Sequence, residues 1–499
     1  MGQDHAPSAD RSLDLLIEVL HPLRVSGTAN PIVQGVQHDS RRVRPGEVFF
    51  AISGLHTDGA QHIGEALSRG ACAIVSDQTF DLSVPAIQVS NARLGLGQAA
   101  AWFHNYPSRN LKLVGVSGTN GKTTTCYLIK AILERAGEKI GLIGTIANYI
   151  GSEKLTSHYT TPDPVELFQL LEKMVSAGVT RTVMEVSSHA LAQDRVSSCR
   201  FDTVIFTNLS HDHLDFHQNL GNYKIAKAKL FQTLLDEQHR KIINQDDEFG
   251  RELIATSADA ARITTYGLNS HADLHADNLE LTSTGTDFTL HLGPLERRIR
   301  LPLFGRFNVY NALAAITFGL VSNIPFDLIV EALEQFPGIP GRLQPIDCGQ
   351  PFQVFVDYAH TPDGLEQVLQ TLRDLCRGRL LTVFGCTGDR DRTKRPMMGE
   401  IAARYSDFIC ITSDDPHNEN PATILQEIEK GVLQAGKYSG RDYLLESDRF
   451  KAIKAALDLA APGDIVLIAG KGHETVQIFA ERALPFSDAA AVLKILQTR

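Results

Sequence analysis

A glycine-rich turn between an apolar run and a long amphipathic run is the feature that most constrains the fold of this chain. Residues 111–116 are typical of a buried strand, whereas residues 123–136, followed by Gly137, predict a helix with a glycine cap. Such a turn directs backbone N–H groups and the positive end of the helix dipole at one point, a geometry that binds phosphate. The sequence therefore predicts a phosphate-binding loop at Gly118, Thr119, Asn120, Gly121, Lys122, Thr123 and Thr124.

The chemistry of this loop favours a nucleoside triphosphate as its ligand. Lys122 supplies a positive charge for the terminal phosphates, and the Thr123 hydroxyl suits a phosphate-bound Mg²⁺. The general pattern has a further glycine where this chain has Val116, so a chance glycine turn before a helix is the alternative. The strand before the loop, the helix after it and the intact Gly-Lys-Thr favour phosphate binding.

Bulk properties exclude several classes of protein. With 499 residues the chain is too long for one hydrophobic core, and about three domains are expected. Its net charge of −10 argues against nucleic acid or an anionic membrane surface as the main partner. Seven cysteines without a Cys-x-x-Cys pair are typical of reduced thiols, and no apolar run is long enough to span a membrane. We therefore expect a cytoplasmic protein with no membrane insertion, and we expect it to act as a monomer.

Alternating strand and helix patterns predict an α/β protein with three domains. Residues 1–108 are expected to form a small N-terminal α/β domain, and residues 109–341 a central P-loop domain with a mostly parallel sheet. The sequence Pro-Gly-Ile-Pro-Gly at 337–341 is typical of a linker. Residues 342–499 start a fresh alternation and predict a C-terminal Rossmann-like α/β domain.

In sheets of this type, ligands bind beyond the carboxyl ends of the strands. Glu185 lies at the end of one predicted strand, and His213 follows the end of the next. Both could complete a cation site near Thr123, and Glu185 is the natural ligand because Mg²⁺ prefers oxygen. Three histidines within 211–217 leave zinc as an alternative, although no Cys/His spacing of a zinc site accompanies them.

Two further regions carry candidate ligand-binding residues. Asn308 and Asn311 lie three residues apart on one face of a predicted helix, where their amides could contact an adenine edge or cap the helix. In the last domain, polar clusters follow four predicted strands, at 357–362, 385–392, 414–417 and 470–474. Packing does not explain four such clusters at one sheet edge, so we expect a second binding face there.

Several of these motifs occur together in one known family. They are residues 118–124 (GTNGKTT), 185–189 (EVSSH), 208–210 (NLS), 212–215 (DHLD), 357–362 (DYAHTP) and 470–474 (GKGHE). The set resembles the Mur ligases, the ATP-dependent amide-forming enzymes of peptidoglycan synthesis, and the resemblance covers essentially the whole chain. The most similar branch adds a diamino acid to UDP-N-acetylmuramoyl-L-alanyl-D-glutamate.

The resemblance implies a two-stage reaction with ATP and Mg²⁺ as cofactors. The D-Glu γ-carboxylate attacks the ATP γ-phosphate, and the amine of the incoming amino acid then attacks the acyl phosphate. The implied catalytic residues are Lys122, Lys227 and His213, and the implied metal ligands are Thr123, Glu185, His213 and a carbamylated Lys227. From the residues alone, Lys224 and Lys229 are rivals of Lys227, and the register of the apolar residues around them favours Lys227.

The resemblance also implies residues for each of the three substrates. For ATP they are Gly118, Thr119, Asn120, Gly121, Lys122, Thr123, Thr124, Asn308, Asn311, Arg342 and Asp357. For the UDP-muramoyl dipeptide they are Ser40, Thr160, Thr161, Ser187, Gln193 and Arg195. For the amino acid they are Arg390, Asp414, Asp415, His417, Gly470 and Glu474.

The identity of the amino acid is where the chain departs from the family pattern. Relatives that take meso-diaminopimelate typically have Asp-Asn-Pro-Arg, whereas this chain has Asp-Asp-Pro-His, with Asp415 and His417 at the changed positions. A mostly neutral histidine cannot clamp a second carboxylate as arginine does, and Asp415 adds a negative charge. Both changes favour L-lysine or L-ornithine, with meso-diaminopimelate as the alternative.

Two rival interpretations of the whole chain remain. A ligase similar to folylpolyglutamate synthase shares the phosphate loop and overall plan, but the segments 160–162 and 389–396 argue against it. A non-catalytic sensor of UDP-muramoyl peptides would not need the intact Lys122, Glu185, His213 and Lys227.

Overall fold

The computed structural model describes residues 11–54, 57–210 and 212–498, so His211 lies outside the described residues. A five-stranded, an eleven-stranded and a six-stranded sheet follow one another along the chain, each with its own helices. We call these the N-terminal, central and C-terminal units.

The N-terminal unit is a small mostly parallel sheet. Its strands are β1 Arg24–Ser26, β2 Gly35–Gln37, β3 Glu47–Ala51, β4 Ala73–Ser76 and β5 Ala86–Gln88. Its helices are α1 Leu13–Leu20, α2 Ile63–Ser68 and α3 Ala92–Phe103. The strand order is β1-β5-β4-β3-β2, and only the pairing of β1 with β5 is antiparallel. The apolar run in β3 is buried throughout, as expected for a strand covered on both faces.

The central unit carries the phosphate-binding loop. Its strands are β6 Lys112–Ser117, β7 Ile140–Ile143, β8 Asn148–Ile150, β9 Glu153–Leu155, β10 Arg181–Glu185, β11 Phe201–Phe206, β12 Leu235–Asn244, β13 Ile263–Gly267, β14 Leu274–Thr282, β15 Gly285–Leu292 and β16 Leu295–Leu301. Its helices are α4 Lys122–Arg135, α5 Pro164–Ser176, α6 Ser188–Ala192, α7 Leu214–His217, α8 Leu220–Gln232, α9 Glu248–Ala255, α10 Arg306–Val321 and α11 Phe326–Glu334. The strand order is β16-β15-β14-β13-β12-β11-β6-β10-β7-β8-β9, with antiparallel strands at both edges of a parallel centre.

The C-terminal unit is a second parallel sheet with one antiparallel edge strand. Its strands are β17 Gln344–Pro345, β18 Gln353–Asp357, β19 Leu380–Phe384, β20 Phe408–Ile411, β21 Tyr443–Leu445, β22 Ile465–Ala469, β23 Val476–Phe479 and β24 Arg482–Pro485. Its helices are α12 Pro362–Leu375, α13 Lys394–Tyr405, α14 Pro421–Gln434, α15 Arg449–Leu459 and α16 Asp488–Gln497. The order is β17-β18-β22-β19-β20-β21, while β23 and β24 form a separate antiparallel ribbon.

The register of the central sheet places the phosphate loop beside two other strand ends. In β6, Val116 pairs with Glu185 of β10, and Ser117 pairs with Phe206 of β11. The three parallel strands therefore end at one edge, and the loop after β6 lies between the segments that follow β10 and β11. This arrangement confirms the predicted α/β fold class with a mostly parallel central sheet.

Local predictions are confirmed for the elements that build this edge. Helix α4 begins at Lys122, one residue earlier than predicted, and ends before Gly137, whose φ of 81° is the left-handed conformation of a glycine cap. Farther along the same sheet, β14, β15 and β16 pair as antiparallel strands. In the described part of the chain, helices both long and apolar enough to cross a bilayer are absent.

A buried ion pair fixes the last helix of the C-terminal unit. The side chains of Arg449 in α15 and Asp488 in α16 have no exposure, and Nε of Arg449 donates to Oδ1 of Asp488 at 2.7 Å. The same guanidinium donates to the carbonyl oxygens of Ser413 and Ala469, at 3.3 Å and 2.9 Å. The pair therefore links α15 and α16 to the ends of β20 and β22.

Asp488→Ala is expected to destabilise the C-terminal unit by about 3–5 kcal/mol, because the buried guanidinium of Arg449 loses its carboxylate. Hydrogen exchange of the amides in α15 and α16 measures this loss, whereas fluorescence does not, since the single tryptophan, Trp102, lies in α3. Lys454→Ala is the matched control, because it removes only an exposed ion pair with Asp458 on the same helix α15. Equal protection in the two variants would contradict this account.

Candidate active site

The phosphate loop needs glycine at two positions because neighbouring side chains leave no room for a Cβ. A Cβ on Gly118 would lie 1.9 Å from Oγ1 of Thr207, and a Cβ on Gly121 would lie 2.2 Å from Oδ1 of Asn311. Gly121 also has a φ of 85°, in the left-handed region that favours glycine. The loop is therefore held between the segment after β11 and helix α10.

Lys122 folds back over the first residues of the phosphate loop. Its Nζ donates to the carbonyl oxygens of Gly118 and Thr119, at 3.0 Å and 2.8 Å. Burial lowers the pKa of Lys122, while the charge of Glu185 opposes that shift. A cation over carbonyl oxygens of a phosphate loop is suited to the terminal phosphates of a nucleotide.

Glu185 is the centre of the hydrogen-bond network beside the loop. Its carboxylate has no exposure, and Oε2 accepts from Oγ1 of Thr123 at 2.9 Å. Thr145, just after β7, donates to both oxygens, through its backbone N at 2.8 Å and its Oγ1 at 3.1 Å. Oγ1 of Thr145 in turn lies 3.0 Å from Oγ1 of Thr160. Glu185 is therefore bonded directly to Thr123 and is linked to Thr160 through Thr145.

Lys227 is the lysine of α8 that contacts the phosphate loop. Its Nζ donates to the carbonyl oxygen of Gly118 at 2.7 Å, and the side chain is buried. Burial, with the nearby charge of Lys122, holds the pKa of Lys227 well below its usual value. Lys224 and Lys229 instead form ion pairs elsewhere, with Glu252 and Asp194.

His213 lies at the same edge, after β11. Burial lowers its pKa to about 3, against the opposing charge of Asp212, whose Oδ2 is 3.3 Å from Nε2 of His213. Its ring centroid is 4.7 Å from that of His189 in α6. A neutral imidazole of this kind is available as a metal ligand.

Asn308 and Asn311 face the protein interior. Nδ2 of Asn308 donates to the carbonyl oxygen of Phe304 at 2.9 Å, and Nδ2 of Asn311 donates to Oδ1 of Asn308 at 3.0 Å. Both amides are buried, and Oδ1 of Asn311 packs behind Gly121. These contacts support the back of the phosphate loop, and they are not helix caps, since the N-cap position Gly305 has no side-chain cap hydrogen bond.

Arg342 approaches the loop from the C-terminal side of the linker, whereas the described hydrogen bonds of the Asp357 carboxylate are to the backbone of its own unit. Nη2 of Arg342 lies 3.4 Å from Oγ1 of Thr123, and its guanidinium lies 4.7 Å from the ring centroid of Tyr358. The buried carboxylate of Asp357 accepts from the backbone N of Leu343 at 2.6 Å, and burial raises its pKa.

Four of the dipeptide candidates form one cluster next to Glu185. Oγ1 of Thr161 donates to the Glu185 carbonyl oxygen at 2.8 Å and accepts from the backbone N of Ser187 at 3.0 Å. Arg195 donates to the Thr161 carbonyl oxygen at 2.9 Å and to Oε1 of Gln193 at 2.7 Å. This cluster links the Arg195 guanidinium to the backbone of Glu185 through Thr161.

Ser40 does not join that cluster. It is buried in the N-terminal unit, where its Oγ donates to Oε2 of Glu65 at 2.6 Å. The arginines that follow it line a pocket of about 500 Å³ between the N-terminal unit and α5. Those lining arginines are Arg41, Arg42, Arg44 and Arg69.

Three carboxylates of the amino-acid candidates converge on one buried lysine. Nζ of Lys471 donates to Asp415 and Glu474, each at 2.8 Å, and lies 3.6 Å from Asp414. Burial alone would lower the pKa of Lys471, but these three carboxylates raise it overall. Gly470 precedes the lysine, and a Cβ there would lie 2.9 Å from Oδ2 of Asp414.

Asp415 therefore does not act as the free negative charge on which the sequence argument depended. Its Oδ1 accepts from Lys471 and, at 2.9 Å, from the backbone N of Ile478. Oδ1 of Asp415 is thus occupied by donors of the protein itself, so Asp415 is not an unpaired acceptor for a substrate amine. Arg390 is exposed on the loop after β19, and His417 is held by its backbone N, which donates to the Ile478 carbonyl oxygen.

Sequence reasoning missed three side chains of this site. Lys471 belongs to the motif at 470–474 but had no assigned role, and Thr145 follows β7, whose end was not considered. Arg449 lies in a helix far along the chain from Ser413, and its position depends on the tertiary fold. Applying the strand-end rule to every strand would have found Thr145.

Family models match most of the chain. A Mur ligase middle domain model matches residues 116–319, and a Mur ligase glutamate ligase domain model matches residues 341–472. A third model, described as the Mur ligase family catalytic domain, matches residues 32–103.

Curated relatives match along nearly their whole length. One from Syntrophomonas wolfei subsp. wolfei, named UDP-N-acetylmuramoyl-L-alanyl-D-glutamate–2,6-diaminopimelate ligase, is 43% identical over 97% of this chain and 99% of its own. A protein of the same name from Caldanaerobacter subterraneus subsp. tengcongensis is 41% identical over 97% of this chain and 99% of its own.

Solved structures share the fold. One whose title gives the same ligase name is 32% identical, with a TM-score of 0.69, and the match covers 97% of this chain and 98% of that one. A Mycobacterium tuberculosis folylpolyglutamate synthase complexed with ADP and AMPPCP is 17% identical, with a TM-score of 0.61. That match covers 76% of this chain and 92% of the other, and shows a common fold alone.

Gly121→Ala is expected to weaken binding of Mg·ATP at least about tenfold, because the new Cβ would collide with Asn311 and displace the loop. Isothermal titration calorimetry measures the change. Gly137→Ala is the matched control, since its φ of 81° is equally left-handed but no atom lies within 4 Å of the new Cβ. If the two variants weakened binding equally, backbone strain rather than the collision would be responsible.

Proposed function

The chain belongs to the Mur ligase family, and from that membership we propose that it joins a diamino acid to the D-Glu γ-carboxyl of UDP-N-acetylmuramoyl-L-alanyl-D-glutamate. Ligases of this family consume ATP with Mg²⁺ in peptidoglycan synthesis, and the expectation of an enzyme of that class is confirmed. The observation that carries the proposal is the identity of 43% with one named relative over 97% of the chain.

We assign ATP to the loop at residues 118–124. Lys122 and the backbone N–H groups of the loop would hold the phosphates, and Arg342 would approach them from the C-terminal side through its position beside Thr123. We assign Asp357 to the nucleotide as well. Asn308 and Asn311 would act indirectly, since their amides support the loop from behind.

Glu185 and Thr123 fit Mg²⁺ by their chemistry. Carboxylate and hydroxyl oxygens are hard ligands, and the hydrogen-bond donors to the buried Glu185 carboxylate in the described structure are neutral groups. Mg²⁺ bound there would neutralise charge on the triphosphate during phosphoryl transfer.

Lys227 and His213 fit a second cation if Lys227 is carbamylated. The lowered pKa favours the neutral amine of Lys227, and the nitrogen of the neutral amine can bond to the carbon of CO₂ with loss of a proton. The product would carry the anionic oxygen that Mg²⁺ prefers. His213, whose imidazole is neutral, would be the other ligand.

We assign the muramoyl dipeptide to the cluster of Thr160, Thr161, Ser187, Gln193 and Arg195. Arg195 can pair bidentately with a carboxylate, which suits a polyanionic substrate. The uridine diphosphate end would occupy the pocket lined by four arginines in the N-terminal unit, and Ser40 would shape the loop that carries two of them.

In the proposed reaction, an oxygen of the γ-carboxylate bonds to the γ-phosphorus of ATP, and the bond from that phosphorus to ADP breaks. The amine of the amino acid then bonds to the acyl carbon, the bond to phosphate breaks, and the nitrogen loses a proton. Positioning and charge neutralisation would supply most of the catalysis, with Lys122 as the cation of the chain itself. The reaction consumes ATP and a nucleotide sugar, and we propose that it takes place in the cytoplasm. The assigned residues all belong to one chain.

For the amino acid we propose 2,6-diaminopimelate in place of lysine or ornithine. Two relatives more than 40% identical are named for that amino acid. Oδ1 of Asp415 is paired with Lys471, which weakens one argument for a substrate ending in an amine alone. Arg390 is exposed on the loop after β19, where the adjacent Asp389 accepts from Asn418 next to His417, and it offers the bidentate cation that His417 cannot supply.

The pocket for the amino acid would combine Arg390 and His417 with the carboxylates that follow β20 and β22. We assign to it Arg390, Asp414, Asp415, His417, Gly470 and Glu474. Glu474 would bind the substrate amine, and burial raises its pKa while Lys471 opposes that shift.

A panel of meso-diaminopimelate, lysine and ornithine tests the substrate proposal. With ATP and the UDP-muramoyl dipeptide, meso-diaminopimelate is expected to give a kcat/KM at least about tenfold higher than either rival, because its second carboxylate can pair with an arginine. Chromatographic quantification of the tripeptide product measures this. Lysine or ornithine as the best substrate would restore the interpretation made from the sequence, and absence of product with all three would contradict the proposed function.

Lys227→Met is expected to lower kcat by about a hundredfold or more, because the methionine fills the buried space but cannot form a carbamate. The amide-forming rate of the wild-type chain should rise with added bicarbonate, while the variant should not respond. Lys224→Met is the matched control on the same helix, since Lys224 pairs with Glu252 at the surface. Similar rates for both variants would exclude a role for Lys227 in the reaction.

A further inference from the structure

A carboxylate at the start of α12 reaches from the C-terminal unit to the phosphate loop. Oδ2 of Asp363 accepts from Nδ2 of Asn120 at 2.8 Å and from Oγ of Ser210 at 3.1 Å. Asn120 belongs to the phosphate loop, and Ser210 follows β11 in the central unit. One oxygen atom therefore contacts two segments of the ATP-binding edge.

These contacts are not a by-product of helix capping. The capping acceptor of α12 is Thr361, whose Oγ1 accepts from the backbone N of Gly364 at 3.2 Å. The other carboxylate oxygen of Asp363, Oδ1, accepts from Nε2 of Gln367 at 2.9 Å. Gln367 thus fixes the rotamer of Asp363 from one side, and Oδ2 is left facing the phosphate loop.

The contacted donors are themselves part of the loop architecture. The backbone N of Asn120 donates to Oδ1 of Asn208 at 2.9 Å, and the backbone N of Ser210 donates to Oγ1 of Thr119 at 3.0 Å. The carboxylate of Asp363 consequently connects the C-terminal unit to a network that also sets the position of the loop backbone. A carboxylate acceptor makes each of these bonds charge-assisted and stronger than a neutral pair.

We propose that Asp363 is a positioning residue that couples the C-terminal unit to the phosphate loop. The inference rests on the proposed function, in which the amino acid is bound on the C-terminal unit and the acyl phosphate forms at the central unit. The bond network of Asp363 holds the two units in register, so that the amine reaches the acyl phosphate before water does.

The competing reaction of the acyl phosphate provides a readout of this coupling. If water attacks, its oxygen bonds to the acyl carbon, the bond to phosphate breaks, and a proton passes to solvent. The original carboxylate and phosphate are then released without an amide. One phosphate per amide indicates tight coupling, and a higher ratio indicates loss of the register between the units.

The experiment compares the wild-type chain with Asp363→Ala, Asp363→Asn, Ser210→Ala and the double variant Asp363→Ala/Ser210→Ala. Phosphate release and amide formation are measured together, with ATP, the UDP-muramoyl dipeptide and the best amino acid of the panel. Asp374→Ala is the control, since this exposed carboxylate lies near the other end of α12. Thermal unfolding of each variant is recorded alongside.

Asp363→Ala is expected to lower the rate of amide formation about tenfold and to raise the ratio of phosphate to amide above one, because charge-assisted bonds between the units are lost. The KM for ATP should change less than about twofold, since the backbone N of Asn120 keeps its own bond to Asn208 and the loop backbone stays in place. Asp363→Asn keeps an oxygen acceptor and should fall between the wild type and the alanine variant. The double variant should be no worse than Asp363→Ala, because the bond of Ser210 is already lost.

A phosphate-to-amide ratio that stays at one in Asp363→Ala would overturn the inference. This holds if the variant forms amide as fast as Asp374→Ala, and also if its rate falls only because the variant is less stable. Additive losses in the double variant would also overturn it, since Ser210 would then act independently. A wild-type chain that forms no amide would refute the proposed function itself, and the inference with it. A coupled wild type beside an uncoupled Asp363→Ala supports both.

Discussion

A carboxylate without access to solvent, that of Glu185, determines how the edge of the central sheet is organised. An isolated buried charge is costly, so it must be surrounded by donors or cations. The Glu185 oxygens receive hydrogen bonds from Thr123 and Thr145, which lie after two different strands. Because β6 and β10 are in parallel register, Glu185 at the end of β10 lies beside the phosphate loop that follows β6. The end of the phosphate loop, the first cation position and the Thr161 part of the dipeptide cluster all border this one residue.

Much of this edge could be predicted from the sequence, because its signals are local. The glycine turn, the apolar run before it and the helix after it are adjacent in the chain, and each has a periodicity or a composition of its own. Lys227 could be selected over Lys224 and Lys229 because neighbouring apolar residues reveal which face of α8 is buried. The carboxyl-end rule placed Glu185 and His213 at the edge that carries the phosphate loop, and the Glu185 carboxylate does contact Thr123.

The predictions that failed or lacked detail depend on partners far away in the chain. The charge of Asp415 suggested a preference for an amine, but its partner Lys471 lies in a loop after another strand. The amides of Asn308 and Asn311 could be placed on one helical face, but their buried partners could not be identified from spacing. Asp363 follows directly after a motif that was recognised, and its contact with Asn120 joins residues 243 positions apart. Spacing within one element predicts its faces, whereas charge balance requires the tertiary fold.

The ion pair between Arg449 and Asp488 has a consequence for inhibitor design. Its guanidinium holds the carbonyl oxygens of Ser413 and Ala469, and these two residues border the pocket assigned to the amino acid. A compound that separates α15 from α16 would displace the backbone at Ser413 and at Ala469 together. It would therefore distort that pocket without resembling any substrate, and an excess of substrate would not simply displace it.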